Sequence, residues 1–238
     1  YTINIESLFA KYFDNRGYRI FFLSNIKEQR AIKTFKRIGG NIIYHHIVYW
    51  KEALKFLNKK LPTVKSEKEL KNFYFQNINL GIGVYSTVSR KLKQGLLDFS
   101  DKKVKSLANR YLWRSVVYLE TAKDIFRKIK PDLILSLEKG YVGHSEIFNL
   151  AIEKGIDFIQ WVGCQESNAL VFKRYNRNNA GDHPFSVSEY AWQSFLKKPW
   201  HFKQTKQVYE LFKKGYLNGD WFRYKNLPAE LIFLDKRE

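Results

Sequence analysis

The clearest alternation of apolar and polar positions lies between residues 131 and 161. An apolar run at 131–137 leads into a glycine-bearing loop at 138–144. An amphipathic stretch closed by Gly155 then precedes a second apolar run at 156–161. Runs of that length around an amphipathic segment predict a strand–helix–strand unit. Such a unit forces its two strands to be parallel, and ligands of parallel sheets bind at the carboxyl ends of the strands.

The same reading extends along the chain. Residues 18–24 predict a buried strand. A helix follows over 27–38, with Ile32, Phe35 and Lys36 on one side, stopped by Gly39 and Gly40. Residues 41–49 predict a second strand and 50–58 a helix that ends before Pro62. A polar loop at 62–72 runs into a helix start at Ser66, with Glu69 placed to complete a capping box. Apolar and small residues alternate through 73–98. Val104, Leu107, Ala108, Tyr111, Leu112, Ser115, Leu119, Ala122, Phe126 and Ile129 repeat at three and four, the longest predicted helix, ended by Pro131. Beyond a polar segment at 163–184, helices are predicted over 188–195 and 203–214, the second closed by Gly215. No repeat, low-complexity tract or break in composition divides the chain. Strands alternating with helices predict an α/β fold, Rossmann-like and doubly wound, with a mainly parallel sheet flanked by helices in a single domain over 1–238.

Composition narrows the setting. The 238 residues are 45% apolar, enough for a sizeable core and too many for disorder. No apolar run approaches a membrane span, no signal peptide opens the chain, and Cys164 is the single cysteine. Those three features lead us to expect a cytoplasmic protein. The chain begins at Tyr1 and has no methionine beside 19 Phe and 15 Tyr. This fits an excised segment of a longer protein, or a sequence from which modified methionines are missing. Charge is lopsided, with 42 basic against 23 acidic residues and a formal +19. Such an excess either solvates a lysine-rich surface or meets a polyanion: nucleic acid, an anionic membrane or a phosphorylated substrate. The basic residues are dispersed, which argues against a DNA-binding arm.

Three segments carry candidate chemistry. In the loop after the apolar run, Glu138 and His144 are placed to serve as a general base, and Tyr141 stands between them. An ion pair for Glu138 and a helix-capping role for His144 are the structural alternatives. Gly140 and Gly143 shape the backbone there. In the second segment, Lys173, Arg174, Tyr175 and His183 crowd a loop with three asparagines, a composition suited to phosphate oxygens and sugar hydroxyls, or to a solvated surface. In the third, Gly81 and Gly83 precede Ser86, Thr87 and Arg90, which reads as an anion nest or as a helix start capped by Ser86 or Thr87. Neither a dinucleotide fingerprint nor a P-loop nor a nucleophile elbow is present. His45 and His46 would point to opposite faces of a strand, so no metal site is expected.

Residues 83–90, the run from Lys130 through Leu135 with Gly140, Tyr141 and Gly143, and the group Lys173, Arg174, Tyr175, His183 to Ser188 and Trp192 together resemble the N-terminal half of bacterial capsule polysaccharide biosynthesis glycosyltransferases of the GT-B type. Residues 216–221 resemble the stretch leading out of that half. The resemblance implies an acceptor-side domain, with 216–238 as an exit segment toward a C-terminal domain outside this sequence, so that the segment alone would be inactive. It implies transfer of a sugar from a nucleotide-sugar, as substrate rather than cofactor, to a hydroxyl of a surface-polysaccharide or lipid-linked acceptor. Arg90, Lys173 and Arg174 would meet the anionic groups, and Ser86, Tyr141, Tyr175 and His183 would line the substrate site. An enzyme of this kind would sit in the cytoplasm or peripherally at the inner membrane face. Relatives carry a His before the Gly-x-Tyr where this chain has Glu138-Lys139, which makes His144 the second candidate for the base. The alternative is a basic α/β nucleic-acid-binding module without catalysis, and a third possibility is a scaffold that keeps only the fold.

Overall fold

A computed structural model describes residues 2–24, 27–57, 59, 63–164 and 169–217. The expected exit segment lies outside the described residues from 218 onward. The chain is mixed α/β and forms two compact units: residues 1–131 with 140–150, and 132–139 with 151–238.

In the first unit, helix α1 (Thr2–Asp14) precedes strand β1 (Phe21–Ser24), helix α2 (Gln29–Arg37) and strand β2 (Asn41–Tyr44). The strands β1 and β2 pair in parallel across α2, in the register Phe21 to Asn41. Helix α2 buries Ala31, Ile32 and Phe35, and Phe35 stacks on Phe22 with centroids 3.7 Å apart.

The predicted strand over 41–49 is half as long as expected. It stops at Tyr44, and helix α3 (His45–Phe56) starts at once. The β-branched run favours a strand locally, but only helical spacing buries Ala53 and Phe56 together and puts His45 and Tyr49 on one face. His45 and His46 are therefore successive helical positions rather than opposite faces of a strand.

Helix α4 (Glu67–Lys71) opens as expected. Ser66 Oγ accepts the Glu69 N–H, and Glu69 reaches back to the Lys65 N–H at 2.8 Å. A short hairpin, β3 (Tyr74–Phe75) with β4 (Ile78–Asn79), leads into helix α5 (Gly81–Leu92). Residues 81–90 thus form neither an anion nest nor a start capped by Ser86 or Thr87. Both hydroxyls lie mid-helix, and Thr87 donates to the Gly83 carbonyl. The glycines serve packing instead. A Cβ on Gly81 would strike the Leu70 carbonyl, and one on Gly83 would strike the Ser145 side chain.

Helix α6 (Lys102–Ile129) is capped by Asp101 and ends at Lys130 in the left-handed region. Along its centre Ser115, Val116, Val117, Leu119, Thr121 and Ala122 are all buried, so this part is covered on nearly every side. Val84 and Val88 of α5 join Val104, Ala108 and Leu112 of α6 in one apolar cluster with Val64, Leu70, Leu97 and Phe99.

The second unit is built on three strands. β5 (Leu133–Ser136) pairs in parallel with β6 (Asp157–Gly163), as the strand–helix–strand pattern predicts, and the connecting helix is α7 (Ser145–Lys154). Strand β7 (Leu170–Tyr175) adds antiparallel to β6. Its register aligns Ser136, Gln160 and Lys173 across the three strands. Lys173, Arg174 and Tyr175 therefore belong to a strand, not to the loop expected from sequence. Trp161, Phe158 and Tyr175 are almost wholly buried. Helices α8 (Glu189–Leu196) and α9 (Phe202–Phe212) follow, and α9 continues into a wider turn of π geometry (Lys213–Leu217). Among the described residues no helix is long and apolar enough to cross a membrane.

Candidate functional site

The second unit collects five of the predicted residues. Glu138 lies two residues beyond the end of β5, half-buried, and its carboxylate accepts the Lys139 N–H at 2.7 Å. Lys139 reaches the Ala180 carbonyl at 2.8 Å and lies 4.6 Å from the Tyr175 ring centroid. Burial pushes the Lys139 ammonium down, although Asp182 and Glu138 pull the other way. Burial, with Asp182 and Glu138 nearby, pushes the Tyr175 phenol up to about 12, so it stays protonated. The bend after Leu137 follows the carboxyl end of β5, whereas Arg174, held by Asp157, lies toward the opposite end of the sheet, and Ala180 to His183 reach back to Lys139 and Lys173.

The cations there are already engaged. Lys173 donates to Asp182 at 2.8 Å, to Ser186 O at 2.9 Å and to His183 O at 3.3 Å. Arg174 forms a fork with Asp157, at 2.8 Å to each oxygen. His183 accepts the Phe185 N–H through Nδ1 at 3.2 Å, a local turn contact. With these groups so occupied, the cluster fastens β7 and the loop behind it.

The first unit gathers the other four, Ser86, Arg90, Tyr141 and His144, around residues that sequence reasoning did not single out. His144 is exposed just before α7, its N–H bonded to the Tyr141 carbonyl at 2.9 Å. Gly143 beside it has φ +99°, a conformation side chains rarely adopt, and the position of its missing Cβ is 3.8 Å from Tyr118. Arg90 lies over Tyr141, 4.7 Å from the ring centroid. Ser86 is half-buried on the middle turn of α5.

Behind the loop, His45 stacks on Tyr118 with centroids 5.0 Å apart and an angle of 17°, and Tyr49 closes on Tyr118 at 4.6 Å. Burial, reinforced by His144 and His46, pushes the His45 imidazole down to about 4, so it is neutral near pH 7. Burial, with Glu146 close by, raises Tyr118.

Glu146 is fully buried. It takes a short hydrogen bond from Ser115 and another from the Gly143 N–H at 2.7 Å. Burial raises its carboxyl to about 7 against the pull of those hydrogen bonds. The loop is further held by the Val142 N–H, which donates to Thr87 Oγ1 at 2.9 Å.

The arrangement puts one exposed imidazole, His144, over a packed layer made of a neutral imidazole, two phenols and a buried carboxyl. Such a layer can receive a proton at His144 and cannot itself reach a substrate through Glu146. The signal for Glu146 was its spacing of four from Leu150, itself buried, and Ser115 already stood inside the apolar repeat of α6. His45 and Tyr49 were masked by the strand prediction. Among the described residues no group of three or more His, Cys, Asp or Glu side chains could hold a metal ion.

Compared with protein-family models, with curated proteins and with solved structures, the chain finds no match in any of the three.

Proposed function

We propose that this chain is a Rossmann-like, acceptor-binding domain of a nucleotide-sugar-dependent glycosyltransferase, with His144 as the proton acceptor. The observation that carries the reading is the exposed imidazole on a tightly braced loop between β5 and α7, beside a half-buried, neutral His45. The parallel pairs β1–β2 and β5–β6, each joined through a helix, are the strand–helix–strand units from which such a fold is built, here in two separate sheets.

In the proposed step the acceptor hydroxyl gives its proton to His144. Its oxygen bonds to the anomeric carbon as the bond to the diphosphate breaks, and the nucleoside diphosphate departs with the electron pair. Arg90, stacked on Tyr141, offsets negative charge on the bound groups. Lys173 and Arg174 take no part, because Asp182 and Asp157 hold them.

The test is sugar transfer by the full-length protein, assayed over a panel of nucleotide-sugars with polyprenyl-phosphate-linked acceptors. His144→Ala lowers kcat/KM by about 100-fold or more, the range of general-base catalysis, whereas Glu138→Gln stays within a few-fold of wild type. Equal loss in both variants, or full activity in His144→Ala, overturns the assignment. Wild-type protein that transfers no sugar but binds generic oligonucleotides in a salt-sensitive way overturns the class.

A further inference from the structure

Helices α8 and α9 carry aromatic side chains that the fold leaves in solvent. Tyr190 is 87% exposed, Trp192 53%, Trp200 66% and Phe202 81%, and neither helix contributes a buried residue. Their order follows helical spacing. On α8, Trp192, Phe195 and Leu196 fall together. On α9, Phe202, Val208, Tyr209 and Phe212 form one stripe with Lys206 at its edge, and Lys203 lies on the other side. Trp200 Nε1 donates to Thr205 Oγ1 at 2.7 Å and fixes the corner between the helices.

Charge says what covers this face. From residue 189 to 214 there are six lysines, two glutamates and no arginine. Interfaces between proteins are depleted in Lys and enriched in Arg. Aromatic stripes rimmed by lysines match the boundary between acyl chains and headgroups, where Trp rings settle and ammonium groups meet anionic lipid. We propose that α8–α9 is an interfacial element that lies on an anionic bilayer, with the aromatic stripe down and the lysines among the headgroups. The inference is independent of the reaction proposed above.

The experiment is flotation of the full-length protein with vesicles of phosphatidylcholine alone or mixed with phosphatidylglycerol, with tryptophan emission followed in parallel. The protein is expected to float with the mixed vesicles, to shift its emission to the blue, and to be released as salt is raised. Lys197→Ala with Lys198→Ala weakens this binding by roughly 25-fold, at about fivefold for each lysine. Trp192→Ser with Phe202→Ser and Tyr209→Ser abolishes it, and the circular dichroism is unchanged because these side chains are exposed. Vesicle binding that survives the aromatic substitutions overturns the proposal, as does its absence in wild type. Self-association in ultracentrifugation that those substitutions remove, without vesicle binding, overturns it in favour of a second copy of the chain.

Discussion

Glu146 and His45 give the cluster behind His144 two opposed titrations. The Glu146 carboxyl sits at about 7 in the folded chain against 4.5 ordinarily. Between those values the folded state keeps a proton that the unfolded state has lost, so its contribution to stability falls as pH rises through the window. His45 sits at about 4 against 6.5 ordinarily. Between those values the unfolded state holds a proton that the folded state has shed, so stability from His45 rises with pH and is complete above 6.5. At about 1.4 kcal/mol per pH unit, each window amounts to roughly 3 kcal/mol, slightly less for His45, which is not fully buried. The windows overlap from 4.5 to 6.5, and there the two slopes cancel. Urea unfolding of wild type, followed by tryptophan fluorescence, is therefore nearly flat in that range with respect to these two groups. Glu146→Gln keeps the shape and the Gly143 contact but removes the falling arm, so its stability climbs by about 2–3 kcal/mol as the pH is raised across the His45 window. His45→Phe keeps a ring on Tyr118 and removes the rising arm, leaving a decline of similar size. Stability curves for the two variants that run parallel to wild type would refute the reasoning.

Gly83→Ala drives a methyl into Ser145, whose Cβ would be 2.8 Å away, and should cost about 1–3 kcal/mol in thermal unfolding. Ser145→Gly in the same chain restores most of that loss. Gly81→Ala meets the Leu70 backbone, so no single side-chain change rescues it. Lys173→Ala leaves Asp182 and two carbonyls without their shared donor and lowers stability by about 1–3 kcal/mol. Arg174→Ala breaks an exposed pair and shifts urea unfolding by less than about 1 kcal/mol.

Elements with a single consistent signal were readable from sequence. The long apolar repeat gave α6 to within two residues at its start, and Gly155, at φ +68°, closes α7 as expected. The misreadings arose where one residue type serves two purposes. Glycines in α5 look like loop formers, yet Gly81 and Gly83 are small because neighbouring elements come close. The run Ile47, Val48, Tyr49 has strand propensity, but the stack on Tyr118 and the burial of Ala53 and Phe56 reward a helix. Of the predicted site, Glu138, Lys173, Arg174, Tyr175 and His183 fall in one unit, although Lys173, Arg174 and Tyr175 lie within a strand rather than after one. His144 was visible as a helix-start imidazole, whereas the layer beneath it depends on α3 and α6, far away in sequence. No local pattern announces such a contact.

Residues 140–150 belong with the first unit although segments of the second flank them on both sides. A fragment truncated after Pro131 therefore loses the Val142 N–H that Thr87 accepts and the Glu146 carboxyl that Ser115 meets. During synthesis α5 and α6 must wait for these two contacts until the later residues emerge. Boundary-mapping libraries made of contiguous pieces would thus miss the true unit, whereas a circularly permuted chain opened in a surface turn would preserve it.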